Sequence, residues 1–492
     1  MSGLGIAANA RERPDAVAIV DGERRLTYRH LHERACRTAH VLADFGFQEG
    51  DRLALALRNR AEFFEAGFAA AMLGVEVVPI SWRASRDELE YYLEDSGARL
   101  LGAEEAMDGL PVPVFDISGH EDAIADRPAT PPAGALDPAP VYYRAYTSGT
   151  TGRPKAVERP RSPVNRYLQA MVGYPLLQGL TSPEEVHLAC GPVYHTAPRA
   201  FSNYALLLGQ TLVLMRHFDA DLCLTLIERE RVTWTHMVPI NFVRILALGR
   251  TTHDLSCMKR ILHAAAPCPV DVKRRVMDVF PPNIVWEYYG MTEGLATMIS
   301  PEEWLAKPGS VGRAAPNLEV HVLDAGGGEL PPGEVGLVYV SPMGGVRFSY
   351  AGAPEKSAEM WQGDLYTVGD MGYLDDDGYL FLTDRQQDLI ISGGANIYPA
   401  EVEAVLFAHP AVADCAVIGV PDAEWGEQVK AIVESRSPVT ADELIEFSRT
   451  NLAPDKCPRS VEFVERLPRD DNGKLRKREL RDRYWAVAGR NI

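Results

Sequence analysis

The apolar residues of the first 290 positions fall into short blocks, separated by amphipathic stretches of helical length. Asp51–Leu57 (DRLALAL) reads as a buried strand, Ala61–Met72 as a helix and Val75–Ile80 (VEVVPI) as the next strand. The alternation returns at Gln210–Met215, with a helix over Asp219–Glu230 and a strand near Thr233. Ile284–Gly290 (IVWEYYG) closes the series. Strands alternating with helices of this length predict a layered α/β domain whose strands run mostly parallel.

Two stretches break the rhythm. Between Ala103 and Pro140 the chain is rich in Pro, Ala, Gly and Asp, which predicts a surface excursion without regular pairing. After Pro308, β-type runs (LEVHVLD, GLVYVS, GYLFLTD) alternate with turns such as DAGGGE and DDDGY. That texture predicts antiparallel hairpins. From about Asp388 the pattern predicts a small α+β unit. Its helices fall at Pro399–Phe407 and Ala441–Leu452, and its strands at Ala413–Val420 and Val429–Glu434. No internal repeat or low-complexity tract interrupts the chain.

Length and composition narrow the function classes. A chain of 492 residues with 46% hydrophobic and 24% charged positions can bury large cores, and is neither disordered nor a disulfide scaffold. The net charge of −18 argues against nucleic acid or anionic membrane as a general partner. The seven cysteines are scattered and form no C-x-x-C, so disulfides are not expected and a reducing cytoplasm is the expected location. No signal peptide, membrane span or lipidation box is read. Oligomeric state is left open, with a homodimer admitted.

Candidate chemistry begins at Tyr146–Lys155 (YTSGTTGRPK), after an extended run and before an expected helix. Thr147, Ser148, Thr150 and Thr151 with Gly149 and Gly152 offer hydroxyl and backbone N–H donors to an anion, and Lys155 adds a cation. The spacing is not that of a Walker A loop, because only two residues separate the glycines. Further segments follow in order: GPVYHTAP (Gly191–Pro198), YYGMTE (Tyr288–Glu293), YTVGD (Tyr366–Asp370), DRQQDLIISGGANIYPAEVE (Asp384–Glu403) and LPRDDNGKLRKREL (Leu467–Leu480). Taken together, the chain resembles, over essentially its whole length, the adenylate-forming superfamily of acyl-CoA synthetases, stand-alone adenylation domains and luciferases. In texture it is most similar to bacterial fatty-acyl or aryl-CoA ligases.

The resemblance implies an ATP- and Mg²⁺-dependent enzyme that turns an acid into an acyl-adenylate, then passes it to coenzyme A. It implies a large AMP-binding domain over residues 1–386 and a mobile α+β domain over 387–492, with Gln387 as the hinge. Lys474 is expected to contact carboxylate and phosphate oxygens, a task suited to a compact charge on a long stem. Glu293 is expected to hold Mg²⁺ and Thr292 to donate to the α-phosphate. Ala265, Tyr288 and Gly290 are expected among the nucleotide-binding residues, Tyr289 offers an aromatic face to the adenine, and Glu287 falls where many relatives touch its amino group. Asp370 is expected to accept from the ribose hydroxyls and Arg385 to reach ribose or phosphate. Gly393 and Gly394 would let pantetheine pass in a second pose. Trp425, Lys456 and Arg459 match the region where some relatives bind the CoA nucleotide.

Other readings compete with these. His195 is expected to gate the acyl pocket, and Arg199 and Asn203 share its helical stripe at i+4 and i+8. Arg199 facing the pocket would suggest a polar or second-anion-bearing acid. Alternatively it turns to solvent, and Phe201, Tyr204, Ala205 and Leu208 line the pocket. Within the fold, loading of a carrier protein or activation of nitrite to diazotise an aryl amine are alternatives. A non-catalytic nucleotide binder should have lost Lys474, Glu293 or Asp370, and all three are present. His32, Cys36 and His40 share a helical stripe but lack the four ligands of structural zinc. Asp375–Gly378 reads as a D-G hairpin turn rather than a calcium loop. Against the acidic total, Pro454–Trp485 carries ten Lys/Arg and seven Asp/Glu, a basic edge where phosphates would be met.

Overall fold

The computed structural model describes residues 5–136, 141–147, 153–160, 177–393, 395–422, 424–470 and 474–487. It is mixed α/β, with a large N-terminal domain and a small C-terminal one. The centre of the large domain is a nine-stranded sheet. Strands Val17–Asp21, Thr211–Leu214, Val186–Ala189, Trp234–Met237, Arg260–His263 and Val285–Met291 run parallel. Antiparallel strands close both edges. A second sheet of five parallel strands has Arg52–Ala56 at its centre.

Helix Ala61–Met72 is buried over its whole length, which explains why its sequence is apolar nearly all round. Its two carboxylates survive burial because arginines meet them. Glu62 pairs with Arg24 and Arg60 at 2.6 and 2.7 Å, and Glu65 with Arg34 at 2.7 Å. Helix Arg86–Ser96 starts with a capping box in which Glu88 accepts from the Ser85 amide at 2.7 Å.

The strands expected before position 290 and the hairpins after Pro308 are present, the latter as a six-stranded sheet. The C-terminal unit contains helices Pro399–Phe407 and Ala441–Asn451 packed against a five-stranded sheet. Two local expectations fail. The proline-rich excursion is not free of pairing: directly after Pro113, Val114–Asp116 joins the parallel sheet beside Leu100–Ala103. A strand edge tolerates a preceding proline, because only the paired residues need their N–H groups. Nor does a helix follow directly on Lys155: Lys155–Glu158 is a strand that pairs antiparallel with Tyr146–Thr147, while residues 148–152 and 161–176 lie outside the described residues. All seven cysteines are free thiols. No helix among the described residues is long and apolar enough to cross a membrane.

Candidate active site

A cleft of about 2740 Å³ opens where the carboxyl ends of the parallel strands meet the β-rich sheet and the small domain. Chain segments leaving Ala189, Met237, His263 and strand Val285–Met291 supply its walls, as an open α/β sheet provides. Thr147, His195, Ala265, Glu287–Glu293, Asp370, Arg385, Gln387, Lys456 and Lys474 all line it. Sequence segments hundreds of residues apart therefore converge on one space. Ser148–Gly152 and Gly394 lie outside the described residues. Lys155 begins its strand but is not among the lining residues.

Asp370 sits at the centre of a hydrogen-bonded group. Hairpin register places it directly opposite Arg385, whose Nε lies 3.1 Å from Oδ1. The Tyr289 hydroxyl donates to Oδ2 at 2.5 Å. Arg385, expected at ribose or phosphate, thus braces Asp370. Burial and the Asp370 charge push the Tyr289 phenol far above its ordinary range, so it stays a donor. Ala265 takes a positive φ of 77°, a strained conformation for a residue with a Cβ, at the wall where the resemblance places the nucleotide.

Glu293 is buried, and the Tyr350 hydroxyl donates to its Oε1 at 2.7 Å. Arg159 donates to the Thr292 carbonyl at 2.6 Å and lines the same end of the cleft. Neither Tyr350 nor Arg159 stood out in the sequence. Tyr350 lies 57 residues from Glu293 and in no phosphate-binding motif, so only the fold brings the two together. A hard carboxylate beside Thr292 and Thr147 fits Mg²⁺, which takes one or two protein oxygens and fills its shell with water and phosphate. Among the described residues no cluster of three or more His, Cys, Asp or Glu gathers as a metal cage. The His32, Cys36 and His40 stripe goes elsewhere: Cys36 Sγ lies 3.8 Å from the His32 ring, and His40 Nε2 meets the Thr130 carbonyl at 3.0 Å.

Lys474 reaches the cleft from the small domain. The turn that carries it is closed by two bonds with Asp470, of 2.8 and 2.9 Å. Burial, then the charge of Arg385, lowers its ammonium to about 8, against the pull of Asp470, Asp370 and Asp388. Gln387 lies in a short turn, Gln386–Asp388, where Arg481 of the last helix donates to its carbonyl at 2.6 Å. The SGGAN segment is not among the lining residues in this pose. Instead, Trp425 packs over Gly393, and Arg459 stacks on Trp425 at 4.5 Å. Lys456 pairs with Glu401 at 2.8 Å.

The acyl side corrects one expectation. Helix Thr196–Leu207 begins with His195 as its cap, and His195, Ala197, Ala200 and Phe201 line the cleft. Arg199 and Asn203, expected at the substrate, do not. Both are buried and turned onto Tyr143: Arg199 stacks 4.3 Å from its ring, and Asn203 donates to its hydroxyl at 3.1 Å. Arg199 also donates to the Tyr194 carbonyl at 2.8 Å, so the alternative of a solvent-facing Arg199 fails as well. The i+4 spacing holds for Arg199 and Asn203, which the helix turns to Tyr143 of the second sheet, while His195, its extended cap, stays at the cleft.

Residues 6–347 match the AMP-binding enzyme family, and residues 401–474 the AMP-binding enzyme C-terminal domain. A feruloyl-CoA synthase of an Amycolatopsis species is 36% identical over 491 residues, 96% of this chain and 97% of its own length. A 2-succinylbenzoate–CoA ligase of Bacillus licheniformis is 36% identical over 95% of this chain and 97% of its own. Among solved structures, o-succinylbenzoate CoA synthetase from Bacillus subtilis with its acyl-adenylate superposes with a TM-score of 0.86. It is 30% identical and covers 97% of each chain. The chain belongs to the AMP-binding, adenylate-forming enzymes. Within them it is an acid–thiol ligase of the acyl-CoA synthetase type, working with ATP, Mg²⁺ and CoA.

Proposed function

We propose that this ligase activates an uncharged aromatic, or similarly flat and apolar, carboxylic acid. The observation that carries the reading is the wall beyond His195. It is built from Ala197, Ala200, Phe201, Val238, Ile240 and Val243, while Arg199 is committed to Tyr143 and Tyr194. Such a wall gains from burying apolar area, and none of these six residues offers a cation to a second carboxylate. The relative that acts on ferulate supports an aryl acid with a single carboxylate; succinylbenzoate, the acid of another relative, shares the aryl ring but carries a second carboxylate, for which the wall has no counterpart.

In this reading the carboxylate attacks the α-phosphorus of ATP, its new C–O–P bond replacing the bond to pyrophosphate. Lys474 holds the carboxylate and phosphate oxygens together, and the Thr292 hydroxyl donates to the α-phosphate. Mg²⁺ held by Glu293 would supply charge neutralisation on the phosphates. Asp370 accepts from the ribose hydroxyls, and Tyr289 with Ala265 and Gly290 flanks the adenine. Glu287 faces the adenine amino group. His195 stands between the acyl pocket and the reacting carboxylate. Thr147 and the 148–152 loop cradle the phosphates; Lys155, at the far end of the loop, does not line the cleft in this pose.

Thioester formation then needs the small domain to rotate about Gln387, the proposed boundary between residues 1–386 and 387–492. Rotation would bring Gly393 and Gly394 to the cleft, with Trp425, Arg459 and Lys456 meeting the CoA nucleotide. The free thiols favour a reducing, cytoplasmic setting. The test is pyrophosphate release over a panel of aromatic, fatty, dicarboxylic and inorganic acids, with product masses recorded with and without CoA. Turnover confined to dicarboxylic acids or nitrite, or adenylate that never passes to CoA, would overturn the reading.

A further inference from the structure

Helix Val270–Val279 sends two side chains into the interior, Val276 and Lys273. Lys273 is 0% exposed. Its Nζ lies 2.5 Å from Glu287 Oε2 and 4.5 Å from the centre of the Trp304 ring. A buried ion pair gives up the hydration of both partners, and apolar side chains of the same volume commonly stabilise a fold as well or better. A methionine would fill this space at lower cost. The lysine therefore calls for a reason beyond packing, and its partner supplies one, since Glu287 lines the cleft.

The other titratable groups around Glu287 are neutral beside the Lys273 cation. His263 is its register partner on the neighbouring strand, with Nε2 3.5 Å from the same oxygen. Burial, then the Lys273 charge, pulls that imidazole well below its ordinary value and leaves it neutral. Burial, then the Glu287 charge, pushes the Cys268 thiol up, so it is neutral too. Lys273 is thus the cation facing Glu287 among the described residues. Burial drives Glu287 up and Lys273 down, and each charge opposes the other's shift. Without Lys273, burial acts on Glu287 without that opposing charge and draws the carboxylate toward its protonated form.

We propose that Lys273 is a positioning residue that keeps Glu287 an anion at the purine end of the cleft, so that the enzyme selects a 6-amino purine over a 6-oxo purine. This rests on Glu287 facing the adenine amino group. An ionised carboxylate only accepts hydrogen bonds. It takes the N–H of a 6-amino group and repels the lone pairs of a 6-oxo group. A protonated Glu287 can donate to the 6-oxo oxygen, and the preference fades.

The experiment is calorimetric titration of the full-length enzyme with Mg–ATP and Mg–ITP, without acid. In Lys273→Met the ATP-to-ITP affinity ratio should fall about tenfold, the difference between a charged and a neutral hydrogen bond. Lys273→Arg, which keeps the charge, should hold the ratio near that of the parent enzyme. If the methionine variant does not fold, Lys273→Gln, which keeps a donor without the charge, should show the same fall. A lysine needed only for packing lowers the melting temperature and leaves the ratio unchanged, which overturns the proposal. Glu287→Gln separates the two layers. A fall there with none in the lysine variants sinks the role of Lys273 alone. No fall in any variant sinks the placement of Glu287 at the purine, and the proposal with it.

Discussion

Lys474 offers the sharpest test, because its place in the structure sets both a rate and a pH profile. Replacing it by alanine removes the cation that the small domain brings beside Asp370 and Arg385. Loss of a single preorganised donor to a transition-state oxyanion costs about 10²–10³ in rate. Acid-dependent pyrophosphate release without CoA should fall by that factor, while ATP still binds. The pH profile follows from the lowered ammonium, at about 8 in the free enzyme. The cation carries the function, so activity is full below that value and lost above it. Roughly nine-tenths of the enzyme is protonated at about pH 7 and one-tenth at about pH 9. The kcat/KM for ATP, which reports the free enzyme, should therefore drop about tenfold over that interval. Lys474→Arg stays charged throughout and should flatten the profile, whatever its absolute rate. Pyrophosphate release undiminished in Lys474→Ala, or the same alkaline fall in Lys474→Arg, would refute the assignment.

Three further outcomes follow from contacts in the site. Asp370→Ala removes the acceptor of the Tyr289 hydroxyl and of Arg385 Nε, and should weaken ATP binding by about ten- to a hundredfold in calorimetry; unchanged affinity argues against a ribose role. Gly393→Ala places a Cβ 2.4 Å from Trp425 Cε3 at a φ of +57°. It should depress thioester formation more than acid-dependent pyrophosphate release, and equal losses in both would show that Gly393 has no separate part in the second step. Arg199→Ala should cost about 1–3 kcal/mol of stability in denaturant unfolding and leave the KM for the acid nearly unchanged, because Arg199 braces Tyr143 and the Tyr194 carbonyl. A large KM effect with little loss of stability would return Arg199 to the substrate.

The elements of this chain were legible because each is a local pattern. The apolar run of Ala61–Met72, the alternation around Val285–Met291 and the hairpin turns after Pro308 state their periodicity within a dozen residues. The motifs were legible for the same reason: a Gly/Thr-rich loop, a Thr-Glu turn after a strand and a lysine after Asn-Gly are contiguous. Contacts between distant segments were not legible. Val114–Asp116 pairs because a neighbouring strand offers a free edge, which the surrounding prolines concealed.

What the sequence determined by itself was the fold class, the order of the motifs and the residue types available for phosphate, ribose and metal. Only the tertiary structure decided which way each side chain turns. A helical stripe at i, i+4 and i+8 specifies a face but not its neighbour, so Arg199 and Asn203 met Tyr143 instead of the acid. Tyr350 with Glu293, and Lys273 with Glu287, exist as pairs because sheet packing closes gaps of 57 and 14 residues. Burial first, and then the Arg385 charge, moves the Lys474 ammonium toward neutrality, and both act only when the small domain sits against the large one.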